Sequence, residues 1–177
     1  MTRQLLDSQR MFSGRVFNID RDRLLDVNGA EIIREVVRHN GGAGILPLHD
    51  DGTVTLARQY RHPARAELLE IPAGTIEPGE DPETCVRREI EEEIGLRPGI
   101  VRRLSAFYPT PGFCEEKLHV FLGTQLTPVP QRLDHDEVIE VVRLPLSEAL
   151  ALVHDGQIVD AKTIIALLLT GQTHGRV

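Results

Sequence analysis

Between Asp81 and Gly95 the chain writes a helix that neither water nor a hydrophobic core can satisfy on all sides, and this segment constrains the fold more than any other. Asp81 is placed to cap its start, Pro82 suits the first helical position, and Glu83 falls near the positive end of the dipole. Gly95 supplies the stop. Val86, Ile90 and Ile94 recur at helical spacing and form an apolar stripe that must find a partner. At about 100° per residue, Glu89 and Glu93 stand roughly 40° apart, with Glu92 roughly 60° to the other side of Glu89. The helix must therefore bury one side while holding three glutamates at its margin. Like charges so close repel one another, and a divalent cation reverses the sign of that cost. Hard cations such as magnesium take oxygen ligands, usually one or two carboxylates together with water and substrate phosphates. Arg88 offers a planar guanidinium that can brace the glutamates from within the same turn.

A loop precedes the helix. Gly74 and Gly79 bracket Thr75-Ile76-Glu77-Pro78, a turn-rich stretch. An isolated glutamate-rich run is ordinarily a solvated helix face. Here Gly74, Glu80, Arg88, Glu89, Glu92, Glu93 and Gly95 stand in one fixed pattern. At background frequencies of roughly 7% such a set coincides by chance on the order of once in 10⁸ starting positions. The segment reads as a site for a metal and a diphosphate.

This pattern resembles the Nudix box, Gly-x5-Glu-x7-Arg-Glu-(apolar)-x-Glu-Glu-x-Gly-(apolar), and matches it from Gly74 to Leu96 at every defined position. The resemblance implies an α/β fold, an α/β/α sandwich with a mixed sheet, and hydrolysis of a nucleoside diphosphate linked to another moiety. It implies magnesium or manganese, two to three ions per site, with Glu89 and Glu93 as main ligands. Glu92 would be a further ligand or a water-orienting group, and the backbone carbonyl of Ala73 would complete the coordination.

Length and charge agree with this reading. A chain of 177 residues with 41% hydrophobic content suits one compact α/β domain with an appendage, and we divide it into an N-terminal β unit, residues 1–40, and a hydrolase domain, residues 41–177. A net charge of −7 argues against broad binding to nucleic acid or anionic membranes, so an anionic substrate must meet a local basic group or a metal. Cys85 and Cys114 are too few for a disulfide framework, which fits a reducing, cytoplasmic setting. Met1 to Arg10 carries charges of both signs and no export signal is expected; Thr163 to Leu169 is too short to span a bilayer. His39, His49, His62 and His119 are scattered without metal-ligand spacing and read as structural or surface residues.

Along the chain, Arg15 to Ile19 and Arg23 to Val27 read as extended, and Asn28-Gly29 signals a hairpin into Glu31 to His39. Ile45 to Leu48 and Val54 to Tyr60 flank a turn at Asp50-Asp51-Gly52, and Glu67 to Ile71 runs into the box. Beyond the helix, Ile100 to Phe107, Leu118 to Leu122 and Val138 to Leu144 read as strands. Ser147 to His154 and Ala161 to Thr170 read as helices, capped by Ser147 and Asp160.

The box supplies a reaction, and the substrate must be read elsewhere. Tyr108-Pro109-Thr110-Pro111-Gly112-Phe113 is similar to the loop that marks ADP-ribose pyrophosphatases among Nudix enzymes, with Pro111 and Gly112 at its centre. Arg58-Gln59-Tyr60-Arg61 resembles the segment of that subfamily in which the second arginine, here Arg61, meets a substrate phosphate. The N-terminal unit resembles the extension through which these enzymes form an intertwined homodimer, which would place Arg15, Val16 and Glu35 around the nucleoside. Glu116 matches a substrate-contacting glutamate of the same subfamily. By the same resemblance the general base comes from the acidic loop Leu133-Asp134-His135-Asp136-Glu137-Val138, and falls on Glu137, with Asp136 as the neighbouring candidate. Some Nudix enzymes use a box glutamate instead, which would make Glu92 the base. The implied reaction splits ADP-ribose into AMP and ribose 5-phosphate. A broader nucleotide-sugar pyrophosphatase, for example one acting on GDP-mannose, is the competing enzyme, and a regulatory domain that binds ADP-ribose without turnover is the competing class.

Overall fold

The computed structural model describes residues 3–174 apart from Asp134 and Asp136. The expected helix is α1, Pro82–Ile94. The Asp81 carboxylate accepts the N–H of Glu83 at 2.9 Å, and Gly95 closes the helix in the left-handed conformation at φ 66°. Val86 and Ile90 are fully buried, and Ile94 nearly so.

Their partner is a four-stranded mixed sheet in the order β7-β4-β9-β8, built from β7 (Ala73–Thr75), β4 (Gly42–Pro47), β9 (Leu118–Pro128) and β8 (Leu96–Phe107). β4 runs parallel to β9, with Gly42 opposite Leu118, and antiparallel to β7. Every residue of β4 is buried, as expected of a central strand covered on both faces. Ala43 and Ile45 pack with α1 and Phe121. Strand alternation turns Gly44 and Leu46 to the opposite face, where α3 (Ala161–His174) packs against β4 and β9. A second, antiparallel sheet has the order β10-β5-β6, from β10 (Glu140–Pro145), β5 (Thr53–Arg61) and β6 (Ala66–Glu70). The helix α2 (Leu146–His154) follows β10. The fold class is α/β, with the expected mixed sheet between helices.

The chain divides into two compact units. One joins the N-terminal residues up to Gly41 to Phe107–Lys117, and the other holds Gly42–Ala106 and the chain from Leu118 onward. The first contains an antiparallel sheet, β1 (Gln4–Ser13), β2 (Asn18–Leu25) and β3 (Glu31–Arg38), in that order. The hairpin at Asn28-Gly29 forms as expected: the Asp26 carboxylate accepts the N–H groups of Asn28 and Ala30, and Gly29 takes φ 80°.

Several boundaries differ from the sequence reading. β1 was not expected, because bulges between Leu5 and Asp7 and between Arg10 and Phe12 break its alternation, and all ten of its residues are exposed. β2 runs through the gap between the two extended stretches expected there. The strand expected from Val138 begins at Glu140, with Val138 at 86% exposure. Ser147 does not cap α2: the helix starts at Leu146, Pro145 holds the cap position, and no side chain bonds there. Asp160 does serve α3, accepting both the N–H and the hydroxyl of Thr163. Replacing Asp81 with alanine removes the acceptor at the start of α1. It is expected to lower stability by about 1 kcal/mol, read as a lower urea midpoint with an unchanged slope.

Candidate active site

The loop and α1 meet through the two box glutamates nearest the core. Glu93 is 3% exposed, and its Oε2 accepts the N–H of Ala73 at 2.9 Å. Gly74 lies against Glu89 so closely that a Cβ there would stand 1.8 Å from Oε1. Any side chain at residue 74 would displace that carboxylate, which gives the glycine its physical reason. The Cys85 thiol points at the carbonyls of Gly74 and Thr75, and burial pushes its pKa up to about 12, so it stays protonated under the loop.

Arg88 ties the glutamates together. Its Nε and Nη2 each donate to Glu80 at 3.3 Å, while Nη1 donates to Glu89 at 2.6 Å and to Glu92 at 3.4 Å. Glu80 also accepts the N–H of Glu77 at 2.9 Å, which anchors the loop from its far end. Burial pushes Glu80 upward, but the Arg88 bonds and that backbone donor outweigh it and hold its pKa below the usual value.

Glu89 and Glu93 behave in the opposite way. Burial drives the Glu89 pKa upward against the pull of Arg88, and the charges of Glu92 and Glu137 add to the rise. Burial pushes Glu93 up to about 8, with further pressure from Glu89 and Glu137 and relief from the Ala73 donor and the Arg61 charge. Among the described residues no salt bridge neutralises Glu93. The deficit is one of positive charge at two buried carboxylates, and a divalent cation fits it. Among the described residues no group of three acidic, histidine or cysteine side chains stands ready to hold a metal. Magnesium does not require one, since water and substrate oxygens fill the remaining positions.

Glu137 is brought near by the way α1 ends. The orphan carbonyls of its last turn accept donors from the segment after β9: the Arg132 N–H bonds the Glu92 carbonyl at 3.0 Å, and the Gln131 amide bonds that of Glu93 at 2.6 Å. The chain that continues to Glu137 is thereby fastened to the carboxylate-bearing helix. Asp136 lies outside the described residues.

Arg61, expected at a substrate phosphate, donates from Nε and Nη2 to the two oxygens of Glu70 at 2.8 Å each. Glu70 and Lys162 were not singled out in the sequence, and Asp160 was expected only as a helix cap. The available signal was an acid in an apolar run, Leu68-Leu69-Glu70-Ile71, where a carboxylate requires a buried partner.

In the other unit, Glu35, Pro111 and Gly112 do come together. With Tyr108, Phe113 and Cys114 they line a cavity of about 270 Å³. Its walls are joined by the Val37 N–H donating to the Phe113 carbonyl at 2.8 Å and by Arg38, which pairs with Glu115 at 2.8 Å. Glu116 lies outside that lining, 3.8 Å from the His39 ring. Arg15 and Val16 sit in the exposed turn between β1 and β2 and do not reach the cavity.

The raised Glu93 carries a pH signature for the protein without metal. A carboxylate whose pKa is higher folded than unfolded favours the folded state below the ordinary value near 4.5 and loses that contribution as pH rises toward about 8. Thermal unfolding in chelator is expected to show wild type losing stability relative to Glu93→Gln across this window, by on the order of a few kcal/mol. Saturating magnesium should remove the difference in slope.

Residues 38–167 match the NUDIX domain family. The chain is 38% identical to the ADP-ribose pyrophosphatase of Bacillus subtilis (strain 168), over 90% of this chain and 87% of that one. It is 40% identical to the GDP-mannose pyrophosphatase of Yersinia enterocolitica, over 86% of this chain and 85% of its relative. A crystal structure of an ADP compounds hydrolase superposes with a TM-score of 0.85, covering 100% of this chain and 98% of the other, at 24% identity, and so shares the fold. The loop, the helix and its clamped glutamates are those of a Nudix box, and the chain belongs to the NUDIX domain family.

Proposed function

We propose that the protein hydrolyses the diphosphate of ADP-ribose to AMP and ribose 5-phosphate with magnesium or manganese. The observation that carries this reading is the pair of buried glutamates, Glu89 and Glu93, left short of positive charge beside Gly74 and Ala73. Glu89 and Glu93, with Glu92 and the Ala73 carbonyl, would hold two to three ions. When bound, such ions neutralise the diphosphate and lower the pKa of a water molecule.

The chain's own residues do the rest. Arg88 keeps Glu89 and Glu92 in place between substrates. Arg61 receives a phosphate, for which its forked donors are suited. Glu137 takes a proton from the attacking water, and its charge already bears on both Glu89 and Glu93. Asp136 and Glu92 are the alternative bases. The cavity of Glu35, Pro111 and Gly112 takes the nucleoside, and Arg15, Val16 and Glu116, which lie outside its lining within one chain, contribute to selection where the nucleoside lies between two subunits.

A second reading, hydrolysis of GDP-mannose, is supported by the similarity to the Yersinia enterocolitica enzyme named for that substrate. The intact box carboxylates support turnover over mere binding. Two free cysteines support a reducing, cytoplasmic setting, and no helix among the described residues is long and apolar enough to cross a membrane.

The protein is read as a homodimer that exchanges its N-terminal unit. Supporting this, Leu5, Met11 and Phe12 are 53%, 47% and 50% exposed on a strand whose ten residues are all exposed. Sedimentation at micromolar concentration is expected to give twice the chain mass, and the mass of one chain would withdraw the dimer.

Product analysis with ADP-ribose and GDP-mannose separates the two substrate readings. AMP release from ADP-ribose should require the metal and fall by at least a hundredfold in Glu89→Gln and Glu93→Gln, the equivalent of about 3 kcal/mol in the barrier. Faster release of GMP from GDP-mannose would favour the second reading, and no turnover of either would favour a binding domain.

A further inference from the structure

Glu70 ends β6 at 1% exposure, and a carboxylate at that depth is costly unless paired and hydrogen-bonded. It has two cationic partners. Arg61 grips both of its oxygens, and the Lys162 ammonium donates to Oε2. In the β5–β6 hairpin Arg61 stands opposite Ala66 and Glu70 opposite Ala57, so the arginine side chain lies back along the hairpin to reach its acid.

The grip occupies one edge of the guanidinium. Nη1 makes no hydrogen bond among the described residues, which leaves the second edge of the fork available. The charges of Glu93 and Asp160 also act on Arg61, so the group stands in the field of the box.

Lys162 is itself held. Asp160 pairs with it at 3.0 Å and is fixed by the Thr163 hydroxyl at 2.6 Å. The same hydroxyl accepts the N–H of Ile71 at 2.8 Å. The start of α3 thus clamps the Glu70 side chain and the backbone that leads through Pro72 to Ala73. Ordering a free arginine costs side-chain entropy, and a guanidinium fixed before the ligand arrives has already met that cost.

We propose that Glu70, pinned by Lys162 at the start of α3, is a positioning residue that presents the free edge of Arg61 to a phosphate of the substrate. The proposal rests on the reading of this site as a nucleoside-diphosphate hydrolase. It assigns the C-terminal helix a part in substrate binding, although none of its residues need touch the substrate.

The test is a double-mutant cycle of Arg61→Ala and Glu70→Gln, with KM and kcat measured on whichever nucleotide sugar the wild type turns over. Glu70→Gln should raise KM about tenfold and change kcat less than threefold. In the Arg61→Ala background the same substitution should change KM less than twofold, because its effect passes through the arginine. An equal rise in both backgrounds would overturn the proposal. Glu70→Gln combined with Lys162→Met removes the pair as a unit and guards against a folding artefact. A raised KM at wild-type melting temperature supports positioning, and a wild-type KM overturns it. Should Glu70→Gln fail to fold, Glu70→Asp serves in its place, keeping the charge while withdrawing the carboxylate by one methylene. Wild-type turnover without coupling defeats this proposal alone, whereas a wild type that turns over no nucleotide sugar defeats it together with the reading on which it rests.

Discussion

The hydrogen bond from the Ala73 N–H to the Glu93 carboxylate is the constraint on which the rest of the site depends. It joins the last residues before the loop to a helix whose other side is core. Val86, Ile90 and Ile94 fix where α1 lies against the sheet, and that placement sinks Glu93 until almost nothing of it reaches solvent. The loop must then pass close to Glu89, which is why residue 74 has no side chain. Packing and chemistry are not separable here, because the contacts that stabilise the helix are also those that desolvate the acid.

The acids of this unit divide by their company. Glu70 and Glu80 are matched by arginine or lysine, and their partners outweigh burial and hold both pKa values low. Glu89 and Glu93 are under-matched and are pushed the other way. Arginines stand at the border between the two groups: Arg88 reaches from Glu80 to Glu89 and Glu92, and Arg61 bonds Glu70 within the field of Glu93. Among the described residues the fixed cations match the carboxylates of the frame and leave Glu89 and Glu93 short of positive charge.

The helix and its caps were legible because they follow local rules. Asp81, Pro82, Gly95 and the apolar spacing of α1 act within a few residues of one another, and the box pattern lies on the same short stretch. What was not legible depended on distant partners or on broken periods. β1 carries two bulges and no buried face, so alternation could not reveal it. Ser147 looked like a cap, yet β10 runs on through Pro145 and the helix begins before the serine. The Glu70–Lys162 pair joins residues 92 positions apart, and only the apolar surroundings of Glu70 hinted that it needed a partner. Glu35, Pro111 and Gly112 were named by resemblance, and the pairing of Val37 with Cys114 explains how they come to share a cavity.

The division of the chain at Gly41, Ala106 and Lys117 has a consequence for how such a protein can change over generations. All the residues lining the cavity of Glu35 and Pro111 belong to one unit, and all the box residues to the other. A substitution at Tyr108 or Phe113 can reshape the cavity while leaving untouched the bonds that hold Glu89 and Glu93. With the nucleoside assigned to that cavity as proposed above, heritable variation in ligand preference can accumulate without passing through forms that have lost their carboxylate frame. Relatives named for different nucleotide sugars, at similar identity to one chain, are the pattern that such freedom would leave.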